Sequence, residues 1–180
     1  MKVIEIDKDT ILKQIQLSDA TEIFATIDSQ REYLGEWLPF VKTTEKITDT
    51  ENFIKSVLEA PKDKQEYIFV IRFNNKFAGI IGFRDTDHMN LKTEIGYWLS
   101  EQFQGKGIIT RAVKEIINFT FNKLDMNRLQ IRCAVDNQKS KRIPQKLNFT
   151  FEGIERSGEL LANGTFTDVE VYSLLSSDPR

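Results

Sequence analysis

The sequence predicts a mixed α/β domain with helices packed on one sheet, and three observations carry that prediction. Apolar residues recur at helical spacing in the first third of the chain. From Glu66 onward, β-branched and aromatic runs alternate with turn residues, and one long helical run then separates the first strands from a second group. The predicted order is ααβββαβαββ. No repeat, low-complexity tract or Gly/Ser/Pro linker divides the 180 residues, and the prolines (Pro39, Pro61, Pro144, Pro179) are scattered, so one domain spanning 1–180 is expected.

Each element has its own warrant. Asp19 with Glu22 reads as a capping box for the first helix, whose buried face is Ile23, Ile27 and Leu34. Thr48 with Glu51 reads as a second box, followed by a stripe of Phe53, Ile54, Val57 and Leu58 and a stop at Pro61. "YIFVIRF" and "KFAGIIGF" form a hairpin about Asn74 and Asn75. "TEIGYWLS" is the third strand, with Ile95, Tyr97 and Leu99 on one face and Glu94, Gly96 and Trp98 on the other. Ala112, Val113, Ile116, Ile117, Thr120, Phe121 and Leu124 mark a helix of about four turns by the 3.6-residue period. "RLQIRCAV" is a strand, "NQKSKRIPQKLN" a short helix, and "FTFEGIE" and "DVEVYSLL" two closing strands. Pro144 implies that the short helix starts late, near Ser140, or is kinked.

Composition narrows the function. A net charge of -2 leaves no polyelectrolyte footprint, so direct nucleic-acid binding is not expected and any anion site must be local. No apolar run approaches the ~20 residues of a membrane span, and "MKVIEIDKDT" has no signal-peptide core; a cytoplasmic location without membrane association is expected. One cysteine, Cys133, and one histidine, His88, supply neither an internal disulfide nor a zinc cage, so no metal is expected. Cys133 reads as a small packed hydrophobe and His88 as a solvated loop residue.

The informative stretch is "LSEQFQGKGIITRAVKEII". Gly105 and Gly107 stand between a strand end and a helix start, where unpaired N–H groups and the helix dipole favour an anion. Lys106 and Arg111 add positive charge, and no acidic residue occurs from Gln102 to Val113. A turn that only caps the helix is the alternative. A phosphate loop of the GxxxxGK[ST] kind is not matched, and a dinucleotide fingerprint would need glycine where Thr110 stands. The spacing QxxGxG, from Gln102 to Gly107, is what remains.

That spacing, with "EIGYWLSEQFQGKGIIT", "NRLQIRCAVDNQKSKRIPQKLNF", "EGI", "VYSLL" and the early "YLGEWLPF", resembles the GNAT superfamily of acetyl-CoA-dependent N-acetyltransferases. Within it, the chain looks like the branch of ribosomal-protein N-terminal acetyltransferases, over roughly Ile11 to Leu175. The resemblance implies an α/β (α+β) GNAT fold, a mixed sheet of about six to seven strands splayed in the middle and flanked by about four helices. It implies backbone contacts from Trp98, Leu99 and Ser100 to the pantetheine arm of acetyl-CoA. Gln104, Gly105, Lys106, Gly107, Ile108, Ile109 and Thr110 would carry the diphosphate. Asn137 and Ser140 match an Asn-x-x-Ser that lies beside the pantetheine and the thioester sulfur, with helix capping as the alternative, and Lys141 would reach a cofactor phosphate. Two departures stand out. Asn148 replaces the family's glycine before Phe149, and no tyrosine occupies the short helix, which leaves Ser140 as the candidate at the leaving thiolate.

The implied reaction needs a neutral amine, and an α-amino group with pKa near ~8 is easier to deprotonate than a lysine near ~10.4. Glu94 and Glu159 are the candidate bases, with a structural hydrogen-bond role as the alternative for Glu94. A backbone N–H near Leu99 would hold the oxyanion. Trp37 in "LGEWLPF" lies near the acceptor cleft in this branch, though burial preference alone would place it in the core. The acceptor suggested by the resemblance is a ribosomal-protein N-terminus, and a homodimer is compatible with it. A small amine acceptor, or a CoA-binding module without turnover, are the alternatives.

Overall fold

The computed structural model describes residues 2–61 and 66–179. Its eight strands, β1 (Val3–Glu5), β2 (Thr10–Gln14), β3 (Ile68–Phe73), β4 (Lys76–Asp87), β5 (Lys92–Leu99), β6 (Arg128–Ala134), β7 (Thr150–Leu160) and β8 (Phe166–Leu175), form one sheet in the order β1-β2-β3-β4-β5-β6-β8-β7. Five α-helices accompany them: α1 (Ala20–Ser29), α2 (Arg31–Gly35), α3 (Ile47–Leu58), α4 (Ile108–Lys123) and α5 (Gln138–Lys146). The sheet is the mixed α/β fold that was expected, with one strand more than the upper expectation. The two strands of the β1–β2 hairpin are those missing from the predicted order of six, because their segments are too short and too polar to show a strand period.

The turn at Asn74 and Asn75 has φ of 48° and 62°, the doubly left-handed turn that matches strand twist. The two capping boxes lie elsewhere than the sequence suggests. Asp19 Oδ2 accepts the Gln16 N–H, and Asp49 Oδ2 accepts the Lys46 N–H, each at 2.9 Å. In both, a carboxylate reaches back three residues, which works behind any N-cap side chain and so escapes a pattern that demands Ser, Thr or Asp at the cap. Glu22 instead pairs with Arg72. The α3 stripe is also narrower than its spacing suggests: Ile54 is buried, whereas Phe53 and Leu58 are 43% and 42% exposed.

Alternation along β3 to β5 gives two cores. Phe69, Ile71, Ile81, Phe83 and Ile95 pack with Ile108, Ala112, Val113 and Ile116 of α4. Val70, Phe77 and Ile80 pack on the other face with Ile23 and Ile27 of α1, Leu34 of α2 and Ile54 of α3. Each fully buried Val, Leu, Ile or Phe among them contributes about 1.5–3 kcal/mol of transfer free energy.

The pairing between β5 and β6 positions the site. Among the described residues it is the only parallel pair, and it runs only from Lys92↔Arg128 to Glu94↔Gln130. Beyond it, β5 continues to Leu99 alongside β4, and β6 continues to Ala134 alongside β8. The sheet therefore splays, and a slot opens between Tyr97–Leu99 and the end of β6. Helix α5 closes one side of this slot. It starts at Gln138 rather than near Ser140, because Asn137 Oδ1 accepts the Ser140 N–H at 3.0 Å and caps the first turn; Pro144 falls in its second half. Asn148 adopts φ of 58°, as its place of a glycine requires. No helix among the described residues is long and apolar enough to cross a membrane.

Candidate active site

The loop from Gln104 to Gly107 is built from backbone. Gly105 and Gly107 have φ of 73° and 68°, and Gly107 is the N-cap of α4. The first helical bond joins the Arg111 N–H to the Gly107 C=O at 3.1 Å, so the N–H groups of Gly105 to Thr110 have no protein acceptor among the described residues. A Cβ added at Gly105 would meet nothing within 4 Å, whereas one at Gly107 would lie 3.2 Å from the Arg111 guanidinium. Ile108 and Ile109 bury their side chains in the core and offer only their N–H groups. Arg111 braces the loop from below, donating to the Lys106 C=O at 2.9 Å and pairing with Asp7 at 2.8 Å. Lys106 Nζ lies 5.3 Å and 5.4 Å from the centroids of Phe73 and Phe103. A cradle of unpaired N–H groups at a helix N-terminus, with no acid in the first turn, has the chemistry to hold an anion.

Hydrogen bonding on β5 revises which residues face the slot. The Ser100 N–H donates to the Ala78 C=O at 2.8 Å, and pairing alternates along an antiparallel strand, so residues 98 and 100 spend their backbone groups on β4. Tyr97 and Leu99 turn theirs toward the slot. Of Trp98, Leu99 and Ser100, only Leu99 therefore presents a strand edge, and Tyr97 joins it. Trp98 packs edge-on against Phe77 at 5.7 Å. Ser100 is fully buried and its Oγ accepts from Gln30 Nε2 at 3.0 Å.

A polar bridge crosses the mouth of the slot. Gln104 Nε2 donates to the Tyr33 hydroxyl, which donates to the Leu99 C=O at 3.3 Å, while Gln104 Oε1 accepts from Lys139 Nζ at 2.9 Å. Lys139 thus stands beside the glycine loop. Lys141 turns away, to Glu170 at 2.5 Å and to the Val135 C=O at 3.2 Å, because its position on α5 faces β8.

Inside the slot, on the α5 side, Ser140 Oγ lies 3.2 Å from the Tyr97 hydroxyl. The thiol of Cys133 is adjacent; burial pushes it up to about 11, so it stays protonated at neutral pH. On the opposite face the sheet carries charge. Glu94 is 7% exposed and pairs with Arg84 at 3.3 Å and Arg132 at 4.0 Å, and Arg132 also pairs with Glu155 at 2.6 Å. Burial raises the Glu94 carboxyl above its ordinary range despite the two arginines. Glu159 reaches the same field and acts electrostatically on both Glu94 and Arg84. A register shift between Glu155 and Glu159 inserts extra β7 residues and aims Glu159 at this face. Trp37 follows α2, half-buried and outside both core clusters. The cavity formed by Tyr67, Phe83, Thr86, His88, Thr93, Leu124 and Met126, about 110 Å³, lies at the other end of the sheet.

Sequence reasoning missed Asp7, Gln30, Tyr33, Arg84, Arg132 and Lys139. Each comes from a segment distant in sequence from the glycine loop or carries a charge that reads as surface. Among the described residues no group of three or more His, Cys, Asp or Glu could hold a metal ion.

Comparison with known proteins agrees with this geometry. Residues 9–150 match the acetyltransferase (GNAT) domain family. The chain is 30% identical to YdaF of Bacillus subtilis, over 97% of this chain and 95% of that one. It is 26% identical to the ribosomal-protein-serine acetyltransferase of Escherichia coli, over 96% of each. Among solved structures it superposes on RimL, a ribosomal alpha-N-protein acetyltransferase, with a TM-score of 0.92, 25% identity, and coverage of 98% and 100%. That structure holds coenzyme A in a disulfide with a cysteine of RimL. The chain belongs to the GNAT acetyltransferase family and is an N-acetyltransferase that uses acetyl-CoA. Its own residues fit that donor: the N–H cradle suits a diphosphate, and the free edge of β5 suits an extended amide-bearing arm.

Proposed function

We propose that this GNAT acetyltransferase acts on the N-terminal α-amino group of a protein, with a ribosomal protein as the substrate class. The slot through the sheet carries this reading, because it places Ser140 on the α5 face and the Glu94–Arg84–Arg132–Glu159 field on the other face. When bound, acetyl-CoA supplies an acetyl group already activated as a thioester. The N–H groups of Gly105 to Thr110 hold the diphosphate, with Lys106 and Lys139 as the nearby cations. Tyr97 and Leu99 present the strand edge to the pantetheine arm.

The amine enters from the charged face. Its proton passes to Glu159, directly or through water, and the demand on that base is small because an α-ammonium has pKa near ~8. Glu94, tied to two arginines, holds those cations in place and sets the field rather than exchanging the proton. Ser140 directs its hydroxyl at the sulfur. RimL, whose bound CoA sulfur reaches a cysteine, supports a sulfur near Cys133, this chain's single cysteine and the neighbour of Ser140. Trp37 lines the acceptor mouth. The names of the ribosomal relatives support the substrate class.

The test is a panel of ribosomal-protein N-terminal peptides, polyamines and free amino acids incubated with acetyl-CoA, with mass spectrometry locating the added acetyl group. Acetylation of a peptide α-amine with the highest kcat/KM is expected. Preference for a polyamine would replace the protein substrate with a small one, and thiol release no faster than hydrolysis with every acceptor would refute the reading.

A further inference from the structure

Helix α5 contains Pro144, and a proline has no N–H to give the carbonyl four residues back. That carbonyl belongs to Ser140. Tyr97 replaces the missing donor from β5: its hydroxyl lies 3.3 Å from the Ser140 C=O and 3.2 Å from Ser140 Oγ. These are its only hydrogen-bond partners among the described residues. The phenol has one proton and faces two acceptors on a single residue, whose backbone is fixed by the Asn137 cap.

We propose that Tyr97 is a positioning residue for Ser140, shifting its one hydrogen bond from the Ser140 carbonyl to Ser140 Oγ as the serine hydroxyl turns to the departing sulfur, and that Pro144, by supplying no N–H to that carbonyl, is what keeps the phenol shared between the two acceptors. The inference rests on the proposed place of Ser140 at the sulfur. In the reaction the carbon–nitrogen bond forms and the carbon–sulfur bond breaks, the bonding pair stays on sulfur, and the amine proton leaves by Glu159 or water. A thiol with pKa near ~8.5 departs readily as its thiolate, so serine need only donate a hydrogen bond to it and keeps its own proton. Water later protonates the free thiolate. A Tyr97→Ser140→sulfur chain is cooperative, each donated bond strengthening the next. Burial keeps the Tyr97 phenol protonated far above the ordinary range, which suits a permanent donor and not an acid.

The experiment compares Ser140→Ala, Tyr97→Phe, Pro144→Ala and the Tyr97→Phe/Ser140→Ala double variant. Two quantities are read: the pKa of the thiol of bound CoA, followed by ultraviolet thiolate absorbance, and kcat against KM for acetyl-CoA. Tyr97→Phe should raise the bound thiol pKa by about 0.5 unit and lower kcat about 3–10-fold with KM within about twofold, the loss of one modest hydrogen bond. Pro144→Ala, which gives the Ser140 carbonyl an N–H and releases the phenol to Oγ, should move both by less and in the opposite direction. On the Ser140→Ala background Tyr97→Phe should change neither. If Ser140→Ala itself leaves both at wild-type values, the assignment of Ser140 to the sulfur fails and this inference with it. If Ser140→Ala shifts both but Tyr97→Phe shifts neither, or shifts them equally with and without Ser140, the assignment of Ser140 stands and the role of Tyr97 is overturned.

Discussion

The two sides of the slot solve opposite problems with opposite materials. The cofactor side is made of backbone: two left-handed glycines, a turn of unpaired N–H groups and the free edge of β5. The proposed acceptor side is made of side chains, with Arg84, Glu94, Arg132, Glu155 and Glu159 converging from β4, β5, β6 and β7. Backbone N–H groups do not titrate, so the first side should be indifferent to pH and intolerant of added atoms. The second should be the reverse.

The largest effect is expected from adding atoms to the cofactor side. Gly107→Trp places a ring over the N–H cradle at a positive φ and should weaken CoA binding by at least about 100-fold, roughly 2.7 kcal/mol, by calorimetry. The far-ultraviolet circular dichroism should remain that of the parent. Unchanged affinity would move the diphosphate away from this loop. Next comes Glu159→Gln, which should lower kcat/KM at pH 7 by about 10–100-fold while leaving CoA affinity unchanged. The deficit should shrink as pH rises past the amine pKa near ~8, since the neutral amine then no longer needs a base. A pH-independent deficit would assign Glu159 to binding instead.

Two stability measurements sharpen the contrast. A Cβ at Gly79 would lie 2.2 Å from the Trp98 carbonyl oxygen, a backbone atom that cannot move alone. Gly79→Ala should therefore destabilise the protein by about 1–3 kcal/mol in urea unfolding and weaken CoA binding through the displaced β5 edge. The smallest effect belongs to Glu152, which Arg128 and Ser173 grip and hold at a pKa of about 2, below the ordinary 4.5. A lowered carboxyl stabilises the folded state above its unfolded pKa and loses that contribution as pH falls through the folded value. The stability difference between the parent and Glu152→Gln should be complete above pH 4.5 and vanish toward pH 2. Glu94 has the opposite sign: burial raises its pKa, so its contribution is fully present below the ordinary value and declines as pH rises through the raised one.

The same contrast explains what the amino-acid sequence reveals. A backbone site needs glycines and a helix start in one continuous stretch, so "QGKGIIT" marks a candidate anion cradle, and the surrounding strand, helix and "DNQKS" separate it from a turn that only caps the helix. Long periodic elements such as α4 and the β3–β4 hairpin are equally readable. The charged field is not, because Arg84 and Arg132 become neighbours of Glu94 only through strand register, and each alone resembles solvated surface. Short polar β1 and β2 carry no period, yet they bring Asp7 to Arg111 beneath the loop. The missing tyrosine of the short helix misdirects in another way. A phenol does stand at Ser140, but it comes from β5, where alternation places Tyr97 on a face with Ile95 and Leu99 and says nothing of Ser140.

A crystal structure of the protein with coenzyme A tests the account most directly. The account predicts the diphosphate on the N–H groups of Gly105 to Thr110, the pantetheine amides on Tyr97 and Leu99, and the sulfur within hydrogen-bonding distance of Ser140 Oγ. A diphosphate held by side chains away from the loop, or a sulfur on the far side of β6 from Ser140, would contradict it.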